Sequence, residues 1–204
     1  MNEDIIKDKE QTMKKLLVAF DKILIEEGFQ KLGINKIAKK AGVSKVLIYR
    51  YFNNFDGLLA AYLEQKAFWL AEGKTDIELL KTMAPNDIRM MAIQVFHGLF
   101  DTLWQNIEQQ EIKRWELLEC NEVIKQIGDK IEAPVNERNS VMAQILGVNE
   151  REIAGVIGIL IGGIYYLVLR SKTLDRFNGI ELQTYDGHQL IKDSITLIIN
   201  SLIK

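Results

Sequence analysis

The sequence predicts an all-α protein. Apolar residues recur at spacings of three and four through most of the chain, and only two prolines, Pro85 and Pro134, interrupt its 204 residues. No segment alternates apolar and polar residues over a strand's length, and no repeat or low-complexity tract stands out.

Met13, Leu16, Leu17, Phe20, Ile23 and Leu24 share one face of a first helix, which Gly28 is placed to stop. Two short helices are expected within 34–52. Leu58, Leu59, Tyr62, Leu63, Lys66 and Trp69 mark the next one, capped by Asn53 or Asn54. Residues 76–87, with Pro85 and Asn86, read as a connection. A helix then runs from about 87 to 109, with Met91, Val95, Leu99 and Leu103 toward a core, and a short one carries Trp115. Residues 122–146 are helical with a break at Pro134. Asn149 with Glu152 resembles a capping box for the apolar helix 150–170. A loop over 171–184 leads to a last helix from about Gly187, with Ile191, Ile195, Ile198, Ile199 and Leu202 on one face.

Nearly half the residues are apolar and about a quarter charged, an ordinary globular balance. The single cysteine, Cys120, excludes an internal disulfide, and His97 and His188 are far apart. No metal-ligand spacing or cofactor motif is present, and the chain suits a reducing cytoplasm. The N-terminal MNEDIIKDKEQ is polar, unlike a signal peptide. The net charge of −2 conceals an asymmetry. Residues 28–55 hold six basic side chains (Lys31, Lys36, Lys39, Lys40, Lys45, Arg50) and no acid, whereas residues 56–204 hold 15 basic and 21 acidic ones. A basic island on an acidic body suits a head that binds a polyanion, although a solvated basic face would have the same composition.

Ile34 to Phe52, INKIAKKAGVSKVLIYRYF, is the informative stretch. A helix-turn-helix needs two short helices held at a steep angle across a tight turn. Ala38 sits where the helices cross. Gly42, four residues on, supplies the positive φ that the turn favours. Val43 and Ile48 fill the space between the helices, Ile37 anchors the first, and Ser44 can cap the second. An ordinary helical hairpin would explain Ala38, Gly42 and Ser44. It would not explain a second helix displaying Lys45, Tyr49, Arg50 and Tyr51 without an acid, which fits phosphate contacts and major-groove entry.

The run IAKKAGVSKVLIYRYF follows a helix ending in Glu27-Gly28-Phe29 and precedes a leucine-rich helix. In this it resembles the N-terminal domain of the TetR family of regulators over roughly residues 10 to 65. The resemblance implies a three-helix DNA-binding head in 1–54 and a helical effector-binding and dimerisation domain in 55–204. It implies a repressor released from its operator by a small-molecule effector. Ser44, Lys45, Val46 and Leu47 would face DNA, Tyr49 and Tyr51 would meet phosphates, and Phe52 would be the buried anchor. Four positions depart from the family pattern. Gly33 stands in place of a threonine that caps and touches phosphate, Val46-Leu47 in place of Gly-Thr, and Phe55 in place of a lysine. Apolar Val46 and Leu47 could meet thymine methyls.

Ile153 to Leu169 is uncharged over 17 residues, and Gly158 and Gly162 form a GxxxG pair. A membrane span is the alternative there, but the run is short, glycine-rich and closely flanked by charge. A buried helix fits better. With 187–203 it would build a two-fold dimer interface, to which Gly158, Gly162, Tyr166, Ile191, Ile195, Ile198 and Leu202 are assigned. Two-fold symmetry matches a two-fold DNA operator. Trp69, Phe96, Phe100, Trp104, Trp115 and Tyr165 could line an effector pocket with His97 as its polar handle, or could simply be core. No nucleophile–base arrangement or phosphate loop points to an enzyme.

Overall fold

The computed structural model describes residues 2–66 and 76–202, with side-chain surroundings from residue 8 onward. Helix α1 (Asn2–Glu27) buries Leu16, Phe20, Ile23 and Leu24 completely. It stops at Gly28, whose φ of 85° no helix can continue, and a 3-10 turn follows at Phe29–Lys31. Next come α2 (Ile34–Ala41), α3 (Val46–Phe52) and α4 (Phe55–Gln65). Beyond these lie α5 (Ile77–Thr82), α6 (Pro85–Gln105), α7 (Ile107–Leu118), α8 (Glu122–Glu132), α9 (Val135–Leu146), α10 (Glu150–Arg170) and α11 (Tyr185–Leu202).

Several boundaries differ from the sequence reading for local reasons. The expected connection 76–87 holds α5, whose first turn is capped by Asp76 Oδ1 accepting from the Leu79 N–H at 3.1 Å. Pro85 opens α6 at its first position, where a missing N–H costs nothing. The next break falls at Asn106, whose Oδ1 accepts from the Gln109 N–H at 3.0 Å and starts α7. Pro134 separates α8 from α9 as expected. In the supposed loop after α10, Arg176–Phe177 pairs antiparallel with Ile180–Glu181. Asn178 (φ 47°) and Gly179 (φ 82°) join the two strands, the Asn-Gly pair that a two-residue hairpin turn favours.

The chain divides into two compact units, Met1–Ala71 with Glu111–Asp129, and Glu72–Gln110 with Lys130–Lys204. The first takes in α4 and the segment 111–129, and is wider than a 1–54 head. Its core includes Phe20, Phe29, Ile37, Ala38, Ile48, Phe52, Leu58, Tyr62, Ile112, Trp115 and Ile124. In the second, one cluster joins Phe96, Phe100 and Leu103 of α6 to Leu160, Ile164 and Val168 of α10 and Ile191, Ile195 and Ile199 of α11. Another joins Leu80, Ile88, Met142, Ala143 and Ile153. On α6, Leu103 is buried and Met91 and Leu99 are half-buried, as the expected face requires, and the two faces part at one position. Phe96 is buried where Val95 was expected, and Val95 is exposed.

Candidate nucleic-acid interface

Gly33 precedes α2 in an extended conformation (φ 175°, ψ 149°) open to any residue, and nothing lies within 4 Å of where its Cβ would be. Ile37 and Ala38 turn α2 inward. The helix ends at Gly42, left-handed at φ 67° and ψ 31°. There the Val43 N–H donates to Ala38 O (3.1 Å) and the Gly42 N–H to Lys39 O (3.2 Å). This double return of N–H groups onto the last carbonyls is the glycine-dependent helix stop, and it fixes the angle at which the chain leaves α2.

Ser44 Oγ lies 3.4 Å from the Val46 nitrogen, a long contact. The start of α3 is closed chiefly by backbone bonds, Leu47 N–H to Ser44 O and Ile48 N–H to Lys45 O, both at 3.0 Å. Ile48 and Phe52 point into the core. Asn53 (φ 71°) ends the helix, and Asn54 Oδ1 caps α4 by accepting from the Gly57 N–H at 2.8 Å. A Cβ on Gly57 would stand 1.8 Å from the Phe52 carbonyl oxygen. The α3–α4 junction therefore demands glycine there, a requirement absent from the sequence reading.

With Ile48 and Phe52 inward, the opposite face of α3 is left open. Val46 is 62% and Tyr49 52% exposed. Ser44, Lys45 and Arg50 are exposed beside them, while Gly33, Val43, Leu47 and Tyr51 are half-buried. Lys9 of α1 adds a cation 5.9 Å from the centre of the Tyr51 ring. Of the six basic residues, Lys36 pairs with Glu27 and Lys40 with Glu26, tying α2 to α1. The hydrogen bond from Lys36 holds the Glu27 carboxyl below its usual range; desolvation opposes it, and the Lys36, Lys40 and Lys31 charges assist. Lys31, Lys39, Lys45 and Arg50 have no ion-pair partner among the described residues.

An aromatic series supports this face from behind. Trp115 stacks on Phe29 at 5.5 Å between ring centres and meets Phe55 at 6.3 Å. Phe55 stacks on Phe20 at 6.2 Å, and Phe20 packs on Tyr62 at 4.3 Å. The Tyr62 hydroxyl donates to Asp21 Oδ1 at 2.7 Å, which Lys66 also reaches at 3.0 Å. Phe55, in the place where the family pattern has a lysine, is thus part of this packing. Trp115 is 3% exposed and belongs to the first unit, which separates it from the effector-pocket set.

The rest of that set lies in the second unit, except Trp69, which falls outside the described residues. Phe96 and Phe100 are buried, with Trp104 and Tyr165 packed against the same cluster. Trp104 lies 5.8 Å from Phe100 and edge-on at 4.0 Å to His188, whose Nε2 sits 2.8 Å from the Leu182 carbonyl oxygen. His97 Nε2 lies 3.0 Å from both the Lys192 carbonyl oxygen and Thr196 Oγ1, so this polar group is already engaged. Among the residues assigned to a dimer interface, Gly158, Gly162, Tyr166 and Ile198 are exposed and Leu202 is half-buried. Ile191 and Ile195, at 4% exposure each, turn instead into their own core, because α11 buries its 191–195–199 ridge against α6 and α10. The outward apolar residues of α11 are Tyr185, Leu190, Leu197 and Ile198.

The helix-turn-helix presents an acid-free outer helix, the arrangement with which DNA-binding domains of this kind enter the major groove. Residues 16–62 match the family of bacterial regulatory proteins, tetR family. The HTH-type transcriptional activator FasR of Mycolicibacterium smegmatis is 29% identical over 84 residues, which is 41% of this chain and 37% of that protein. Two solved structures share the fold along nearly the whole chain. NalD, the secondary repressor of the MexAB-OprM multidrug efflux pump in Pseudomonas aeruginosa, superposes with a TM-score of 0.63 at 18% identity, over 97% of this chain and 98% of its own. The fatty acid degradation regulator FadR from Bacillus halodurans gives 0.62 at 17%, over 94% and 96%. The N-terminal domain is a TetR-family domain, and the chain has the fold of that family's regulators.

Proposed function

We propose that this chain is a cytoplasmic homodimeric repressor that leaves its operator when a small, largely apolar effector binds the second unit. The observation that carries the DNA-binding part is the geometry of α3. Its inner face is pinned by Ile48 and Phe52, and its outer face offers Lys45, Val46, Tyr49 and Arg50 with no acid among them. A rigid helix so exposed fits the major groove, with Tyr49, Arg50 and Tyr51 toward phosphates and Ser44 to Leu47 toward base edges. Gly33 would bring the N-terminus of α2 to a neighbouring phosphate through its backbone N–H.

Pairing two heads on one operator requires a symmetric contact, and the outward faces of α10 and α11 are the candidates. They expose Gly158, Ile159, Gly162 and Tyr166, and Leu190, Leu197 and Ile198. Two copies of each helix would form a four-helix interface. An effector lodged among Phe96, Phe100, Trp104 and Tyr165 would have to part side chains that now pack on one another. Such a repacking can change the spacing of two paired heads. The similar proteins include one named a repressor and one named an activator, so the sign is tested directly. In vitro selection from random duplexes should return a two-fold symmetric operator, and a reporter under that operator should rise when the chain's gene is deleted. Selection without enrichment would sink the DNA-binding reading. A reporter that falls on deletion would overturn the repressor assignment alone.

A further inference from the structure

A second basic surface lies on the first unit, away from the recognition helix. Gln11, Lys14, Lys15, Val18, Ala19 and Lys22 recur at three and four residues along one face of α1 and, with Lys40 and Ala41 of α2, line an open groove of about 600 Å³. Four lysines and no carboxylate line it. Lys40 is held by Glu26, whereas Lys14, Lys15 and Lys22 are exposed and have no ion-pair partner among the described residues. From Gln11 to Lys22 the α1 wall is about 16 Å long at the helical rise. Three free ammonium groups along that length, over the half-exposed Val18, form a strip complementary to a regularly spaced chain of anions.

The lining of the groove adjoins DNA-facing residues along the chain on both sides. Lys40 and Ala41 lead through the Gly42 turn to Ser44 and Lys45 at the start of α3. Two residues before Gln11, Lys9 sits over the ring of Tyr51 at the end of α3. We infer that the α1–α2 groove binds the phosphate backbone of duplex DNA beyond the base pairs read by α3, so that each head covers more DNA than its recognition helix reaches. This rests on the DNA-binding reading above.

The test compares wild type with a Lys14→Gln, Lys15→Gln, Lys22→Gln variant. The probes are the selected operator trimmed to the half-sites and the same operator extended by about ten base pairs, one helical turn, on each side. Glutamine preserves helix propensity at these exposed positions. A control variant, Lys125→Gln, Lys130→Gln, Lys172→Gln, removes the same charge at exposed sites elsewhere. On the extended duplex the groove variant should lower the slope of log K against log salt by about 2 to 3 per head, at about 0.9 for each phosphate no longer neutralised. It should bind the trimmed duplex like wild type, and the control should bind both like wild type. Equal slopes on the extended duplex, an equal loss on the trimmed one, or an equal loss in the control would each overturn the groove assignment. Should selection yield no operator that wild type binds, DNA binding itself fails, a separate outcome from any of these.

Discussion

Replacing Trp115 should loosen a recognition helix more than sixty residues away in sequence. The indole is 3% exposed, stacks on Phe29 just before α2, meets Phe55 at the start of α4, and donates from Nε1 to Glu119 Oε2 at 2.9 Å. Burying an aromatic of this size removes about 150–250 Å² from water, worth at most about 4–6 kcal/mol at 25 cal/mol per Å². Truncation of buried tryptophan or phenylalanine costs about 3–5 kcal/mol once relaxation is included. Trp115→Ala should fall in that range. Trp115→Phe keeps a ring against Phe29 and loses chiefly the bond to Glu119 and some volume, costing about 1–2 kcal/mol. The measurement is amide hydrogen exchange in α2 and α3, which reads the stability of that part of the chain alone. Protection there should drop from about a hundred-fold to several thousand-fold in Trp115→Ala, at about 1.4 kcal/mol per tenfold, and about tenfold in Trp115→Phe. Unchanged protection in α2 and α3 would refute the claim that 111–129 shares a core with the helix-turn-helix. So would equal losses in the two variants.

Four further outcomes follow from the geometry. Gly57→Ala places a methyl against the Phe52 carbonyl and should destabilise the first unit by about 1–3 kcal/mol in urea titration, while Gly98→Ala, with open space at its Cβ, should not. Gly33→Thr can adopt the extended backbone and gains a capping hydroxyl, so it should raise stability by about 0.5–1 kcal/mol and tighten operator binding in a mobility-shift titration. Tyr49→Phe should weaken binding with little change in sequence preference, and Lys45→Ala should reduce the salt slope by about 1; unaltered binding in both would move the recognition helix elsewhere. Ile159→Glu puts a charge at a residue 74% exposed on α10 and should leave the chain folded but monomeric in light scattering; a persistent dimer would place the interface on another face.

The helix-turn-helix was legible because its demands are steric and local. Ala38 at the crossing, Gly42 with its positive φ and Ile48 in the core are fixed by offsets within a dozen residues, and each is found in the role its type suggests. The cap on α3 was less legible, since a serine in the right place need not use its hydroxyl, and Ser44 barely does. Helix phase was ambiguous on α6 because Val95 and Phe96 are both apolar, and periodicity cannot choose between neighbours that satisfy it equally. The membership of Trp115 in the first unit was beyond local pattern, being a contact with residues far away in sequence. The Asn178-Gly179 turn, by contrast, carried a readable signal in a stretch taken for loop.

Helix α10 shows how exposure decides between readings that composition leaves open. Its mean hydropathy over an eighteen-residue window is 2.0, and its 21 residues are long enough to cross a bilayer. One side buries Ile153, Leu160, Ile164 and Val168 against the second unit's own helices. The other exposes Gly155, Gly158, Gly162 and Gly163, with Ile159 and Tyr166 rising from them. Lipid tails gain little from glycine, whose lack of a side chain leaves backbone uncovered. A second helix gains closeness of approach, because the glycine track lets two backbones draw together. The outward side of α11 alternates Leu190, Leu197 and Ile198 with exposed Asp193, Ser194, Asn200 and Ser201, a mixture that suits a protein partner with a wet rim rather than hydrocarbon. Both helices pack inward on α6, so a contact through their outer sides would act on the helix carrying Phe96, His97, Phe100 and Trp104. In the proposed regulator, dimer formation and effector entry therefore draw on the same core.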